Sequence, residues 1–129
     1  MLIIGELINT SRKEVKLAVE NKDRAFIQGL AKEQVKAGAA YLDINCGTQV
    51  FNEPEIMEWL VKVVQQVTDV PLCIDSPNPK AVETGLSLAK TPKPLVNSIT
   101  AEKERFEQLL PLIQRYDAKV VALCMDDSG

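Results

Sequence analysis

Residues 41–47 read YLDINCG, an apolar strand-like run that carries Asp43 and Asn45 two positions apart. Side chains alternate across a strand, so these two polar groups point to one face near the strand's end. The stretch PLCIDSPN (71–78) repeats the arrangement with Asp75, and PLVNSIT (94–100) repeats it with Asn97 and Ser98. A buried amide or carboxylate is costly unless it finds a partner. Successive apolar runs that each finish in such groups therefore gather polar chemistry at one end of a set of strands.

The segments between these runs read as helices. Residues 12–23 form one, with the polar NTSR ahead of it. Residues 23–37 form a second, with Phe26, Ile27, Leu30, Ala31, Gln34 and Val35 at helical spacing, Asp23 as N-cap and Gly38 as stop. Residues 52–67 carry an apolar stripe of Ile56, Leu60, Val63, Val64 and Val67, with Asn52 as cap and Pro54 in the first turn. Asn78 and Pro79 open a further helix. Thr100 is expected to cap the last one, which Pro111 should kink or split. Met57, Trp59 and Phe106 fall within helical patterns and read as core or helix-surface residues.

Five strands, starting near residues 2, 39, 71, 94 and 119, thus alternate with helices. That order implies right-handed βαβ units around a parallel sheet. Two α/β folds satisfy it: an open, doubly wound sheet of five strands, or the N-terminal part of a (β/α)₈ TIM barrel, whose usual length is about 250 residues. An open sheet concentrates its site at one switch point, whereas a barrel draws on every strand. Polar groups mark the ends of all five runs: Glu6 and Asn9, Asp43 and Asn45, Asp75, Asn97 and Ser98, and Asp126. This favours the barrel.

Composition narrows the function. The chain has 129 residues, 46% hydrophobic and 26% charged, with a net charge of −3. There is no basic patch for nucleic acid, no apolar run long enough for a membrane span and no signal peptide pattern. Cys46, Cys73 and Cys124 are an odd set in apolar surroundings, which suits reduced thiols in the cytoplasm and reads as small buried hydrophobes. Histidine is absent, so His-dependent triads are excluded and zinc is disfavoured. No G-x-G-x-x-G or P-loop occurs, so a nucleotide is not indicated.

A ring of carboxylates and carboxamides suits a flat, neutral heterocycle with amide-like edges, because a carboxylate accepts paired N–H bonds. Mg²⁺ is the alternative occupant. Taken singly, Asp75 and Asn97 could be turn or cap residues. Glu6 and Asp43, inside apolar runs, are harder to read as structural, and the coincidence across strands favours a site.

The segments MLIIGELIN, YLDINCG, MEWLVKVVQQVTDVPLCIDSPNPKAVETGL, LVNSITAEKERFEQLLPL and VVALCMDDSG, in this order, resemble the methyltetrahydrofolate:corrinoid protein methyltransferases. These are relatives of the folate domain of cobalamin-dependent methionine synthase and, more distantly, of dihydropteroate synthase. The resemblance implies a pterin-binding TIM barrel with methyltetrahydrofolate as substrate in its mouth. It places Asp75 and Asn97 at the pterin's pyrimidinone edge, with Ser98, Asp43, Asn45, Glu6 and Asn9 lining the same mouth. It further implies a cobalamin carried by a separate corrinoid protein, no directly bound metal, and a homodimer at full length. Dihydropteroate synthase fits less well, since the loops here read NTSRKE and NCGTQV. The homocysteine module of methionine synthase is not expected ahead of Met1.

On the same resemblance, residues 1–129 are expected to be the N-terminal portion of the barrel domain, lacking three βα units. An Asn that contacts the pterin N5 is expected beyond residue 129. Such a portion is expected to be inactive alone and prone to associate. The remaining alternatives are a dihydropteroate synthase-like enzyme and a non-catalytic half-barrel that binds a partner.

Overall fold

The computed structural model describes residues 2–90, 94–100 and 103–123. Strands β1 (Ile4–Asn9), β2 (Tyr41–Asn45), β3 (Leu72–Asp75), β4 (Leu95–Thr100) and β5 (Lys119–Leu123) alternate with helices. Helices α1 (Lys13–Glu20) and α2 (Arg24–Lys36) follow β1, and α3 (Glu53–Gln65), α4 (Pro79–Leu88) and α5 (Lys103–Arg115) follow the next three strands.

All strand pairs are parallel, and the sheet order is β1-β2-β3-β4-β5. This order separates the two candidate folds. A doubly wound sheet reverses direction at its switch point, which sends helices to both faces. Here every crossover steps the same way, so right-handed connections lay all the helices on one face. The opposite face is left for a barrel interior. The chain is α/β, the N-terminal part of a (β/α)₈ barrel.

The helix-covered face is apolar. Ile8, Leu42, Ile44, Leu72, Ile74 and Val96 are fully buried, and they pack in one cluster with Val19, Ile27, Leu60, Val64 and Val82 from the helices. Gly85 sets how closely α4 approaches: a Cβ there would stand 2.9 Å from Ile74 Cδ1. Met57 is in the core, and Trp59 packs against it half-buried.

Several local expectations hold and several need correction. Asp23 caps α2, accepting from the Phe26 amide at 3.2 Å, and Gly38 after the helix takes φ +104°. Asn78 caps α4, accepting from the Lys80 amide at 2.9 Å. Asn52 precedes α3 but makes no side-chain cap bond, its φ/ψ of −139°/31° lying outside the extended cap geometry. Pro111 lies in the interior of α5, yet the helix runs unsplit from Lys103 to Arg115. Thr100 is the last residue of β4, and the cap expected of its side chain lies outside the described residues. Gln34, a polar residue on an otherwise apolar helical stripe, is buried because β1 shifts register between Gly5 and Ile8. The Leu7 amide freed by that shift donates to Gln34 Oε1 at 3.0 Å.

Candidate functional site

The polar strand ends fall into register. Asn9 pairs with Asn45, Asn45 with Asp75, and Asp75 with Asn97, so one row of four polar residues crosses β1 to β4. Two residues earlier on the same face lies a second row, in which Asp43 pairs with Cys73 and Cys73 with Leu95. Alternation thus sends Asp43 and Asn45 to the face opposite the helices, and the parallel register aligns them with their counterparts.

Asp43 is the most deeply buried of the carboxyl and carboxamide groups, 2% exposed. Asn97 Nδ2 donates to its Oδ1 at 3.3 Å, bridging β2 and β4 across β3. Asn45 uses Oδ1 to accept from the Gly47 amide at 2.9 Å, fixing the start of the β2–α3 loop, and it also hydrogen-bonds Asp75. Asn9 Oδ1 accepts from the Ser11 amide at 2.9 Å, so its role is to shape the loop after β1.

Electrostatics tie the two carboxyl groups together. Burial pushes Asp75 up to about 7, reinforced by the neighbouring charge of Asp43, by a hydrogen bond between the two carboxyls and by Glu6, and opposed by Asn45. Asp43 is also raised by burial, but donors from Cys73, Asn97 and Asp75 pull it back. Two neighbouring carboxyls in a dehydrated spot each make the other harder to ionise. The Cys73 thiol is driven far above the ordinary thiol range by burial and then by Asp43, so it remains a neutral donor. Such a site offers two carboxyl groups and carboxamide edges, which matches a heterocycle with alternating N–H donors and acceptors. Among the described residues, no group of three His, Cys, Asp or Glu converges to hold a metal ion.

The sequence model of the family described as "Pterin binding enzyme" matches residues 5–129. The chain belongs to this pterin-binding family. It is also 41% identical over 131 residues to the methylcorrinoid:tetrahydrofolate methyltransferase of Eubacterium limosum, a match that covers all of this chain and 48% of the relative. The chain spans about half the length of that curated relative.

In this family member, most of the residues expected from the sequence come together. Asp43, Asn45, Asp75 and Asn97 form one hydrogen-bonded patch, and Asn9 continues its row. Glu6 differs from expectation: it is exposed, on the outer strand β1, so it is not the buried carboxylate its apolar neighbours suggested. Its charge still reaches the pair, raising both Asp43 and Asp75. Ser98 lies in β4, its side chain outside the described set, and Asp126 lies outside the described residues.

Three residues went unrecognised. Cys73 has the same two-residue spacing to Asp75 that Asp43 has to Asn45, and that parity was the available signal. Glu53, 2% exposed at the start of α3, hydrogen-bonds Ser76 Oγ, which in turn accepts from the Asn78 amide at 2.9 Å. This chain of bonds pins the loop directly after Asp75. A carboxylate at a helix N-terminus is favoured by the helix dipole, which helps explain a buried acid there. No sequence periodicity could have paired Glu53 with Ser76, because the contact joins the start of α3 to the separate loop after β3.

Proposed function

We propose that this chain is the N-terminal portion of a methyltransferase that moves a methyl group between tetrahydrofolate and a corrinoid carried by a partner protein. Three further βα units beyond these residues complete the barrel in this reading. The single observation that carries it is the register row Asn9–Asn45–Asp75–Asn97 with Asp43 beneath, on the helix-free face of a pterin-binding family member. The similarity to a methylcorrinoid:tetrahydrofolate methyltransferase supports the choice of reaction.

In this reading Asp75 accepts from the adjacent N–H groups of the pyrimidinone edge, and Asn97 and Asn45 supply complementary carboxamides. Asp43 holds Asn97 in place. The methyl group passes between N5 of the pterin and the partner's cobalt. In the direction from folate to corrinoid, a Co–C bond forms as the C–N5 bond breaks, and the electron pair stays on N5. The described residues orient the pterin and set the charge around it, and no covalent enzyme intermediate is involved. Among the described residues no helix is long and apolar enough to cross a membrane. On the resemblance to the corrinoid methyltransferases, this reading further has a cytoplasmic protein that is a homodimer at full length.

The test is calorimetric titration with methyltetrahydrofolate. Binding is expected to fall at least tenfold in Asp75→Ala and in Asn97→Ala. Unchanged binding in both variants would refute the site. The 129-residue chain alone, given methyltetrahydrofolate and a reduced corrinoid protein, is expected to show no turnover. Turnover would refute the need for further βα units.

A further inference from the structure

Asn9 reaches the polar row only because β1 holds one residue more than its ladder with β2 needs. Gly5 pairs with Leu42 and Ile8 with Ile44, so Glu6 and Leu7 together stand opposite Asp43 alone. A Cβ on Gly5 would stand 2.9 Å from Gln34 Cδ, so Gly5 faces α2. Side chains alternate along an unbroken strand. Counted from Gly5, such a strand would send Leu7 and Asn9 to the helix face and Ile8 to the site face. The bulge reverses this. Ile8 is fully buried in the helix-side cluster, and Asn9 pairs with Asn45 in the polar row.

Two side chains from outside the strand grip the bulge. The Leu7 amide donates to Gln34 Oε1 at 3.0 Å, and the Leu7 carbonyl accepts from Arg12 Nη1 at 2.9 Å. Gln34 is 5% exposed, and its Nε2 has no hydrogen-bond partner among the described residues. An apolar side chain of similar length would fill that space without burying an unpaired donor. Packing of α2 therefore gives no reason for a carboxamide at this position, whereas the Leu7 bond does. The bonds downstream depend on the same bulge. The Thr10 amide donates to the Asn45 carbonyl at 3.0 Å, the Ser11 amide donates to Asn9 Oδ1 at 2.9 Å, and Thr48 Oγ1 donates to Thr10 Oγ1 at 2.7 Å.

We propose that Gln34, together with Arg12, is a positioning residue for the site: by gripping Leu7 it holds the bulge that turns Asn9 into the polar row and sets the loop after β1 against the loop after β2. Neither side chain touches the ligand in this scheme. The effect on ligand binding rests on the pterin reading above; the placing of Asn9 does not.

Amide hydrogen exchange on the ligand-free chain reads the placing of Asn9. Gln34→Met keeps the length of the side chain and loses the acceptor. In this variant exchange at Thr10 and Ser11 is expected to rise roughly tenfold, while the β2–β3 ladder keeps its protection. Gln34→Glu gives up only the unpartnered Nε2 and keeps an acceptor oxygen, so it is expected to restore protection. Arg12→Met releases the Leu7 carbonyl from a partly exposed position and is expected to move Thr10 in the same direction. It serves if Gln34→Met fails to fold. Wild-type protection of Thr10 in the folded variants that lose a grip on Leu7 overturns the proposal. So does a rise spread evenly over the sheet, the mark of a loosened core.

Tetrahydrofolate affinity reads the consequence. Gln34→Met is expected to weaken binding by about fivefold, and Asn9→Ala by a similar factor. The two together are expected to lose no more than either alone, because Asn9 has already left the row. Losses that multiply overturn the claim that Gln34 acts through Asn9. If wild type binds no tetrahydrofolate while Thr10 exchange still rises in Gln34→Met, the pterin reading falls and the positioning role stands.

Discussion

The two faces of this sheet are built from the same four-to-six-residue strands and carry opposite chemistry. Toward the helices, Leu42, Ile44, Leu72 and Ile74 are fully buried in a continuous apolar cluster. On the other face, at intervening positions of the same strands, stand Asp43, Asn45, Cys73 and Asp75. Each apolar side chain buried on the first face contributes about 1.5–3 kcal/mol. The second face works against stability, since it dehydrates two carboxyls beside one another. Alternation lets one strand hold the fold with one parity and present a ligand surface with the other.

The largest expected effect comes from breaking the apolar face alone. Ile74→Ala removes a fully buried side chain that packs on Gly85 of α4, and it should cost about 2–5 kcal/mol in denaturant unfolding. The carboxyl titration on the opposite face should keep its wild-type form wherever the variant is folded. A displaced titration would mean that the two faces are not energetically separable.

Next in size is a change confined to the site face, Asp75→Asn, expected to stabilise the chain. The folded Asp75 carboxyl holds its proton up to about pH 7, against an ordinary value of 3.8. Between those values the native state binds more protons than the unfolded state, so stability falls as pH rises through that window and then levels off. Asp75→Asn removes this loss. It should gain about 1–3 kcal/mol at pH 8 relative to wild type and nothing of this kind at pH 3, while binding of methyltetrahydrofolate is lost. Thermal unfolding at the two pH values checks the sign. Equal changes at both would show that the pair carries no electrostatic strain.

How far the sequence disclosed this division depends on the residue. The strand positions and the shared parity of Asp43 with Asn45 were legible, because a period of two has one geometric meaning. So were the caps at Asp23 and Asn78, where an acidic or amide residue precedes an apolar helix. Asn52 looks the same in sequence but makes no cap bond, because its backbone is not extended there. The burial of Asp43 and the exposure of Glu6 were not separable, since both interrupt apolar runs. Their difference comes from place in the sheet: β2 is flanked by β1 and β3, while β1 is an outer strand of the described sheet. The barrel was inferred from polar groups at every strand end, but sheet order, invisible in sequence, is what excludes the doubly wound alternative.

The smallest expected effect tests whether the faces differ at the level of a single residue type. Cys46 and Cys73 are both fully buried, and both thiols are pushed upward by burial, Cys46 to about 12. Their settings diverge. Cys46 lies in the apolar cluster, and its thiol donates to the Glu53 carbonyl at 3.6 Å, whereas Cys73 faces Asp43. Cys46→Ala should therefore cost about 1 kcal/mol through lost packing and leave the Asp43–Asp75 titration where it was. Cys73→Ala removes the same atom from the other face and should move that titration instead. Were Cys46→Ala to shift the pair as much as Cys73→Ala does, the influence of Cys73 would be a general response to a loosened interior. A shift confined to Cys73→Ala assigns it to the thiol's place opposite Asp43 in the ladder.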